Sequence, residues 1–295
     1  MPNAHHLTLV LVLSLPLLGA CRIEERPPAS SRGASGGTGS APIAYTAPHD
    51  SLIPDDELGR SIRRGKAILL ATDDSLPDHV GNDLRCTSCH FDAGTRLSSL
   101  PLLGVYARFP QYRSRNARIN SIEDRVNGCL LRSMNGTALP AESAEMQDLV
   151  AYMAWISRGV PVGAQVQGQG LVRLDPLEGD TTRGREVFVA NCVRCHGANG
   201  EGIKAGTIVI GAPLWGDSSY NIGAGMARIR TAAAFIRHNM PFDMPGTLSD
   251  QEAFDVAAYI NSHPRPDFPG KENDWPLGDP PPDVAYATKA GRVTR

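Results

Sequence analysis

Two strings in the sequence share one spacing: Cys86-Thr87-Ser88-Cys89-His90 and Cys192-Val193-Arg194-Cys195-His196. Two thiols separated by two residues can reach the two vinyl groups of one haem. The histidine directly after the second thiol then lies under the iron as its proximal ligand. The motif occurs twice, roughly a hundred residues apart, each time inside a segment of domain size. Zinc sites and thioredoxin-like redox pairs also use paired thiols, but neither requires the histidine at that place twice. The expectation is two covalently bound haem c groups, attached through Cys86, Cys89, Cys192 and Cys195, with His90 and His196 on the irons.

A haem iron held by one histidine takes a second axial ligand or stays open for chemistry. The second unit offers Met240-Pro241 and Met244-Pro245, whereas the first has Leu139-Pro140 at the place matching the latter pair. Leucine does not ligate iron, so attention moves upstream to Cys129. If residues 123–133 are helical, Arg125, Cys129 and Arg132 share a face with Ser133 beside them. Two guanidiniums flanking a thiol favour the thiolate and make a pocket for a small dianion. From Val105 to Arg132 there are six arginines against two acidic residues, in a chain whose formal net charge is only -2. The isolated histidines His49, His79, His238 and His263 read as surface or packing residues.

The elements that must hold these groups follow from periodicity and caps. The first unit opens with Asp55-Asp56-Glu57-Leu58 and an amphipathic stretch through Leu70, and closes with a helix from Ala144 to Ser157. The second opens with Thr182 to Asn191. It closes with a helix through Ser262, where Ser249 as N-cap and Glu252 three positions on make a capping box. Leu149-Val150-Ala151-Tyr152 and Val256-Ala257-Ala258-Tyr259 repeat one pattern in the closing helices, which argues for internal duplication. The predicted fold is all-α, with two tandem domains resembling class I cytochrome c.

Along the chain this predicts a targeting segment over 1–21, a flexible Pro/Ser/Gly-rich tether over 22–48 and a first domain over 49–162. A linker over 163–178, a second domain over 179–266 and a Pro-rich tail over 267–295 follow. The apolar run Leu7 to Leu18 has signal-peptide length and is too short to span a bilayer. Leu18-Gly19-Ala20-Cys21 resembles a bacterial lipobox, so Cys21 is expected to carry a lipid that anchors a periplasmic protein to the membrane. Of six cysteines, four hold haem and Cys21 suits a lipid, which leaves Cys129 without a disulfide partner. The near-neutral charge excludes a global pull toward nucleic acid.

The string Arg125-Val126-Asn127-Gly128-Cys129-Leu130-Leu131-Arg132-Ser133-Met134-Asn135-Gly136 resembles the signature of the dihaem thiosulfate dehydrogenases. So do Pro213-Leu214-Trp215-Gly216, Tyr220 to Met226, Thr231 to Ile236 and Asp255 to Ser262. The resemblance covers about residues 55–266 and implies specific roles. Cys129 would be the distal ligand of the first haem and part of the catalytic centre, where two thiosulfates join as tetrathionate. Arg115 and Arg125 match arginines that hold thiosulfate, Ser133 matches a hydroxyl in that pocket, and Met240 matches the ligand of the second haem. Some members carry a lysine just before that methionine, where this chain has Asn239. Electrons would pass to an external acceptor such as another cytochrome c. Competing readings are a sulfur-oxidation-complex cytochrome that conjugates thiosulfate to a carrier, a tethered electron relay without substrate, and a dihaem peroxidase.

Overall fold

The computed structural model describes residues 41–291, besides Met1. The targeting segment, Cys21 and most of the expected tether lie outside the described residues. In the first unit, α1 (Glu57–Leu70), α2 (Thr72–Ser75), α3 (Phe91–Gly94), α4 (Ile122–Arg132) and α5 (Ala144–Trp155) follow one another. The second unit contains α6 (Thr181–Asn191), α7 (Val193–His196), α8 (Ile229–Asn239) and α9 (Asp250–Ser262). Two antiparallel hairpins accompany the helices, β1 (Gln111–Arg113) with β2 (Arg118–Asn120), and β3 (Ile203–Ala205) with β4 (Ile208–Gly211). The protein is therefore mostly helical, as its periodicity predicts, and the hairpins are short additions that strand alternation over three residues does not announce.

The helix starts obey local chemistry. Asp56 accepts the Gly59 amide at the head of α1, and Ser143 and Asp180 do the same for α5 and α6. Ser249 and Glu252 form the expected capping box on α9, and Ser121 with Asp124 forms another on α4. Each such cap satisfies amides that the helix itself leaves unpaired.

In both units the opening and closing helices cross closely, and the same three residues make each crossing. Gly65 of α1 lies so near α5 that an added Cβ would stand 1.9 Å from the Asp148 carbonyl oxygen. Gly184 of α6 repeats this against Asp255 of α9 at 2.0 Å. Beside each glycine an arginine reaches the opposite carboxylate. Arg64 Nε meets Asp148 Oδ2 at 2.7 Å, and Arg183 Nε meets Asp255 Oδ2 at 2.7 Å. The duplication thus extends to an Arg-Gly pair in the opening helices and an Asp-x-x-x-Tyr string in the closing ones. Below the first crossing lie Leu69, Met146, Leu149 and Tyr152; below the second lie Phe188, Phe254, Val256 and Ala257, all buried.

Two peripheral segments are more integrated than their composition suggests. The Ile43 amide donates to Gln165 O at 2.8 Å and its carbonyl accepts from Gln167 at 2.9 Å, so packed chain begins inside the span expected to be tether. The tail wraps back over the protein, with Trp275, Val284 and Tyr286 forming a small buried cluster of their own. Among the described residues no helix is long and apolar enough to cross a membrane.

Replacing Gly65 or Gly184 with alanine should push the crossing helices apart, because the contact is backbone rather than a yielding side chain. Each change is expected to cost about 1–3 kcal/mol, the usual range for overpacking. Thermal unfolding of the purified holoprotein would show it as a lowered midpoint.

Candidate functional site

The two attachment motifs sit on short helical turns. Cys86–Ser88 form a 3-10 turn leading into Cys89 and His90, and α7 carries Cys195 and His196. In each unit the histidine Nδ1–H donates to a backbone carbonyl, His90 to Leu100 O at 2.5 Å and His196 to Ala212 O at 2.7 Å. A carbonyl only accepts, so each ring carries a proton on Nδ1, and Nε2 is the nitrogen whose lone pair the neutral ring offers. Paired thiols with such an imidazole fit the demands of haem c in both units.

Cys129 lies in the middle of α4, and the expected helical face is only partly realised. Arg125, one turn earlier, donates from Nη1 to Cys129 Sγ at 2.8 Å. The thiol also lies against His90, so residues far apart in sequence meet at one centre. Burial works against the Cys129 thiolate, but Arg125 and His90 outweigh it and bring the thiol down to about 6. Cys86 and Cys89, half-buried beside it, are pushed the other way, to about 11 and about 12, chiefly by desolvation. Ser133 caps α4, its amide donating to Cys129 O at 2.8 Å, which places it one turn beyond the thiol.

Arg132 has a partner that its spacing does not reveal. Spacing places it with Cys129 in an anion pocket, yet both of its terminal nitrogens bind the Asp274 carboxylate, at 2.9 and 2.7 Å. The ring of Phe268 lies 4.0 Å from its guanidinium carbon. Its charge is matched by a tail residue that the helix face could not reveal. Arg115, in the turn between β1 and β2, is held differently. Its Nη1 donates to Gly223 O at 2.7 Å and its guanidinium lies over the Trp275 ring at 4.6 Å. Burial, then the neighbouring Arg132, lowers it to about 10.

Two further arginines belong to this neighbourhood. Arg113 on β1 is lowered by burial and by Arg125, Arg108 and Arg228, while Cys129 opposes the shift. Arg228, just before α8 in the second unit, has a buried Nε without a hydrogen-bond partner. Arg113 was legible only as one of a local run of arginines. Arg228 carried no signal, because the fold alone brings it across from the other unit.

The second unit also holds α4 in place. Asn221, 1% exposed, donates its side-chain amide to Leu131 O at 2.9 Å and to Asn135 Oδ1 at 3.2 Å, and its backbone amide donates to Arg132 O at 3.1 Å. These bonds satisfy carbonyls that the end of α4 leaves open.

On the second centre, Met240 ends α8 and packs against the core around Phe188 and Phe254, while Met244 is 48% exposed. Asn239 is buried, and its amide donates to Ser98 O of the first unit at 2.9 Å. The other histidines serve packing or turns. His79 hydrogen-bonds Thr137, His49 accepts from the Ser51 amide, and His263 stacks on Trp215 with centroids 3.9 Å apart. His238 has a buried Nε2 without a partner.

Two crossed-helix units, each with a Cys-x-x-Cys-His turn and an imidazole nitrogen left for iron, define a two-domain c-type cytochrome. A thiol set among arginines at one unit gives it the makings of an oxidoreductase acting on an anion. Comparison with known proteins carries this further. Residues 79–162 match the family model "SoxA/TsdA, cytochrome c domain", and residues 181–264 match "Cytochrome c". A thiosulfate dehydrogenase of Psychrobacter arcticus is 46% identical over 255 residues, covering 85% of this chain and 78% of that protein. One from Allochromatium vinosum is 45% identical over 232 residues, covering 77% and 86%. The solved thiosulfate dehydrogenase TsdBA of Marichromatium purpuratum superposes with a TM-score of 0.74 at 38% identity, over 77% of this chain and 51% of that longer one. The chain belongs to the thiosulfate dehydrogenase family, cytochrome c oxidoreductases with a SoxA/TsdA-type domain followed by a second cytochrome c domain. The L-cysteine S-thiosulfotransferase subunit SoxA of Rhodovulum sulfidophilum matches only 83 residues, 27% of the chain.

Replacing Asn221 with alanine would strip buried carbonyls of their donor. The expected cost is about 1–3 kcal/mol, the penalty of leaving a buried polar group unsatisfied. Denaturant titration of the holoprotein would read it as a lowered midpoint with an unchanged slope.

Proposed function

We propose that this protein oxidises two thiosulfate anions to one tetrathionate at Cys129 and delivers the two electrons through the second domain to an external acceptor. The observation that carries this reading is the Arg125–Cys129 contact of 2.8 Å at the edge of the His90 centre. Cys86, Cys89, His90 and Cys129 would hold one haem c. Cys192, Cys195, His196 and Met240, rather than the exposed Met244, would hold the other. Haem c supplies one-electron acceptance at each centre when bound.

The protein's own residues account for the rest. Arg115 and Arg125 offset the repulsion between two dianions, and with Ser133 they orient one sulfur toward another. The Cys129 thiolate bonds to the outer sulfur of the first thiosulfate as two electrons leave, which gives Cys–S–S–SO₃⁻. The outer sulfur of the second thiosulfate then attacks the sulfur bonded to Sγ. A new S–S bond forms, the bond to Cys129 breaks, and tetrathionate departs while the thiolate is restored. No proton is gained or lost. The same residues serve the reverse reaction, tetrathionate reduction. Arg132 has no part in anion binding here, because Asp274 already occupies it.

The proposed setting is the periplasm, with a lipid on Cys21 holding the protein at the membrane and a periplasmic or membrane acceptor, such as another cytochrome c, taking the electrons.

Stopped-flow mixing of oxidised protein with thiosulfate alone, without any carrier protein, should reduce the haems and yield tetrathionate. The Cys129→Gly variant should keep both haems attached yet remain inert. Turnover retained by that variant, or reduction that requires a carrier protein, would sink the proposal. Met240→Ala should remove the sulfur-to-iron charge-transfer absorption of the second ferric haem, whereas Met244→Ala should leave it intact.

A further inference from the structure

We infer that the C-terminal strap, residues 267–291, is a working part of the anion site, in which Asp274 and Trp275 sort two neighbouring arginines into one neutralised and one kept available for a dianion. The inference rests on the reading that Arg115 binds thiosulfate. The strap lies beyond the stretch of chain that matches either cytochrome c domain model.

Asp274 and Trp275 are adjacent and both buried, 6% and 3% exposed. Asp274 receives both terminal nitrogens of Arg132 and also the Tyr286 hydroxyl, at 2.5 Å. Its two oxygens are thereby committed, and Arg132 is paired. Trp275 grips Arg115 without any charge. Its backbone amide donates to Arg115 O at 2.7 Å, and its ring faces the guanidinium at 4.6 Å. One Arg115 nitrogen is spent on Gly223 O, and among the described residues no carboxylate forms an ion pair with it; Asp274, committed to Arg132, acts on it only at a distance.

The chemical consequence is a division of labour. An arginine positioned by a carboxylate is held well but offers little net charge to a substrate. An arginine positioned by a ring face and a carbonyl is held as firmly and keeps its full charge, with several of its five N–H donors unspent. The strap does both within two residues. Asp274 and Trp275 are therefore positioning residues, acting through Arg132 and Arg115 rather than touching the reacting sulfur.

The test uses the full-length holoenzyme and thiosulfate. Trp275→Met keeps apolar bulk but loses the ring face, and Trp275→Phe keeps a ring. The Met variant should raise KM for thiosulfate by about tenfold with kcat little changed, the pattern of lost binding with intact chemistry, and Phe should restore most of it. Asp274→Asn preserves size and unmasks Arg132. Sulfate, an inert dianion, should then become a stronger competitive inhibitor by about tenfold. An unchanged KM in Trp275→Met, or unchanged sulfate inhibition in Asp274→Asn, would overturn the inference even if unfolding midpoints fall. Arg115→Gln separates the two levels. If it leaves KM unaltered, the thiosulfate-site reading itself is wrong; if it raises KM while Trp275→Met does not, only the strap's role fails.

Discussion

Like charges occupy one small volume only when something other than mutual attraction holds them, and the site around Cys129 is built on that constraint. Arg113 lies within electrostatic reach of Arg108, Arg125 and Arg228, and Arg115 within reach of Arg132 and Arg228. Supplying each with a carboxylate would give a stable but electrically quiet surface, useless for gathering dianions. The structure spends one carboxylate, Asp274 on Arg132, and one sulfur, Cys129 on Arg125. Arg115 is held by a carbonyl and an indole ring, and Arg113 by Gln111. Of these arginines, Arg125 acts most strongly on the half-buried thiol.

That arrangement explains why two cytochrome units are more than beads on a string. Gly223 O, which holds Arg115, and Asn221, which closes the end of α4, belong to the second unit, while the residues they hold belong to the first. Gly223 has no room for a side chain, since an added Cβ would meet Arg132 Nη1 at 2.7 Å. Asn239 reaches from beside Met240 to Ser98, two residues from the Leu100 carbonyl that orients His90. The hydrogen-bond supports of the two centres are thus physically continuous.

Much of the fold was legible because its determinants are local. The Ser249–Glu252 capping box is readable from neighbouring residues alone, and the observed helix bounds fall within a few positions of those read from periodicity. The repeated Ala-Tyr pattern in the closing helices exposed the duplication. Its other half, Arg64-Gly65 and Arg183-Gly184, escaped notice because a glycine inside a helix signals nothing until the helix it touches is known. The hairpins give no sequence signal because strands of three or four residues carry too little alternation to register. The Pro-rich tail offers no periodicity to read, and its buried Trp275 and Tyr286 find their partners only in the folded chain.

For the site, the sequence by itself determined the chemistry available. Two Cys-x-x-Cys-His motifs and the i,i+4 relation of Arg125 to Cys129 are facts of short-range spacing, and short-range geometry survives folding. The tertiary structure alone decided which arginines are free. Arg132 has the right spacing but is claimed by Asp274, and Arg228 has no sequence signal but arrives from the other unit. Charge pairing acts through space at a few ångströms, and 142 residues of chain separate Arg132 from its partner. No pattern along the sequence encodes a distance that only the packed chain defines.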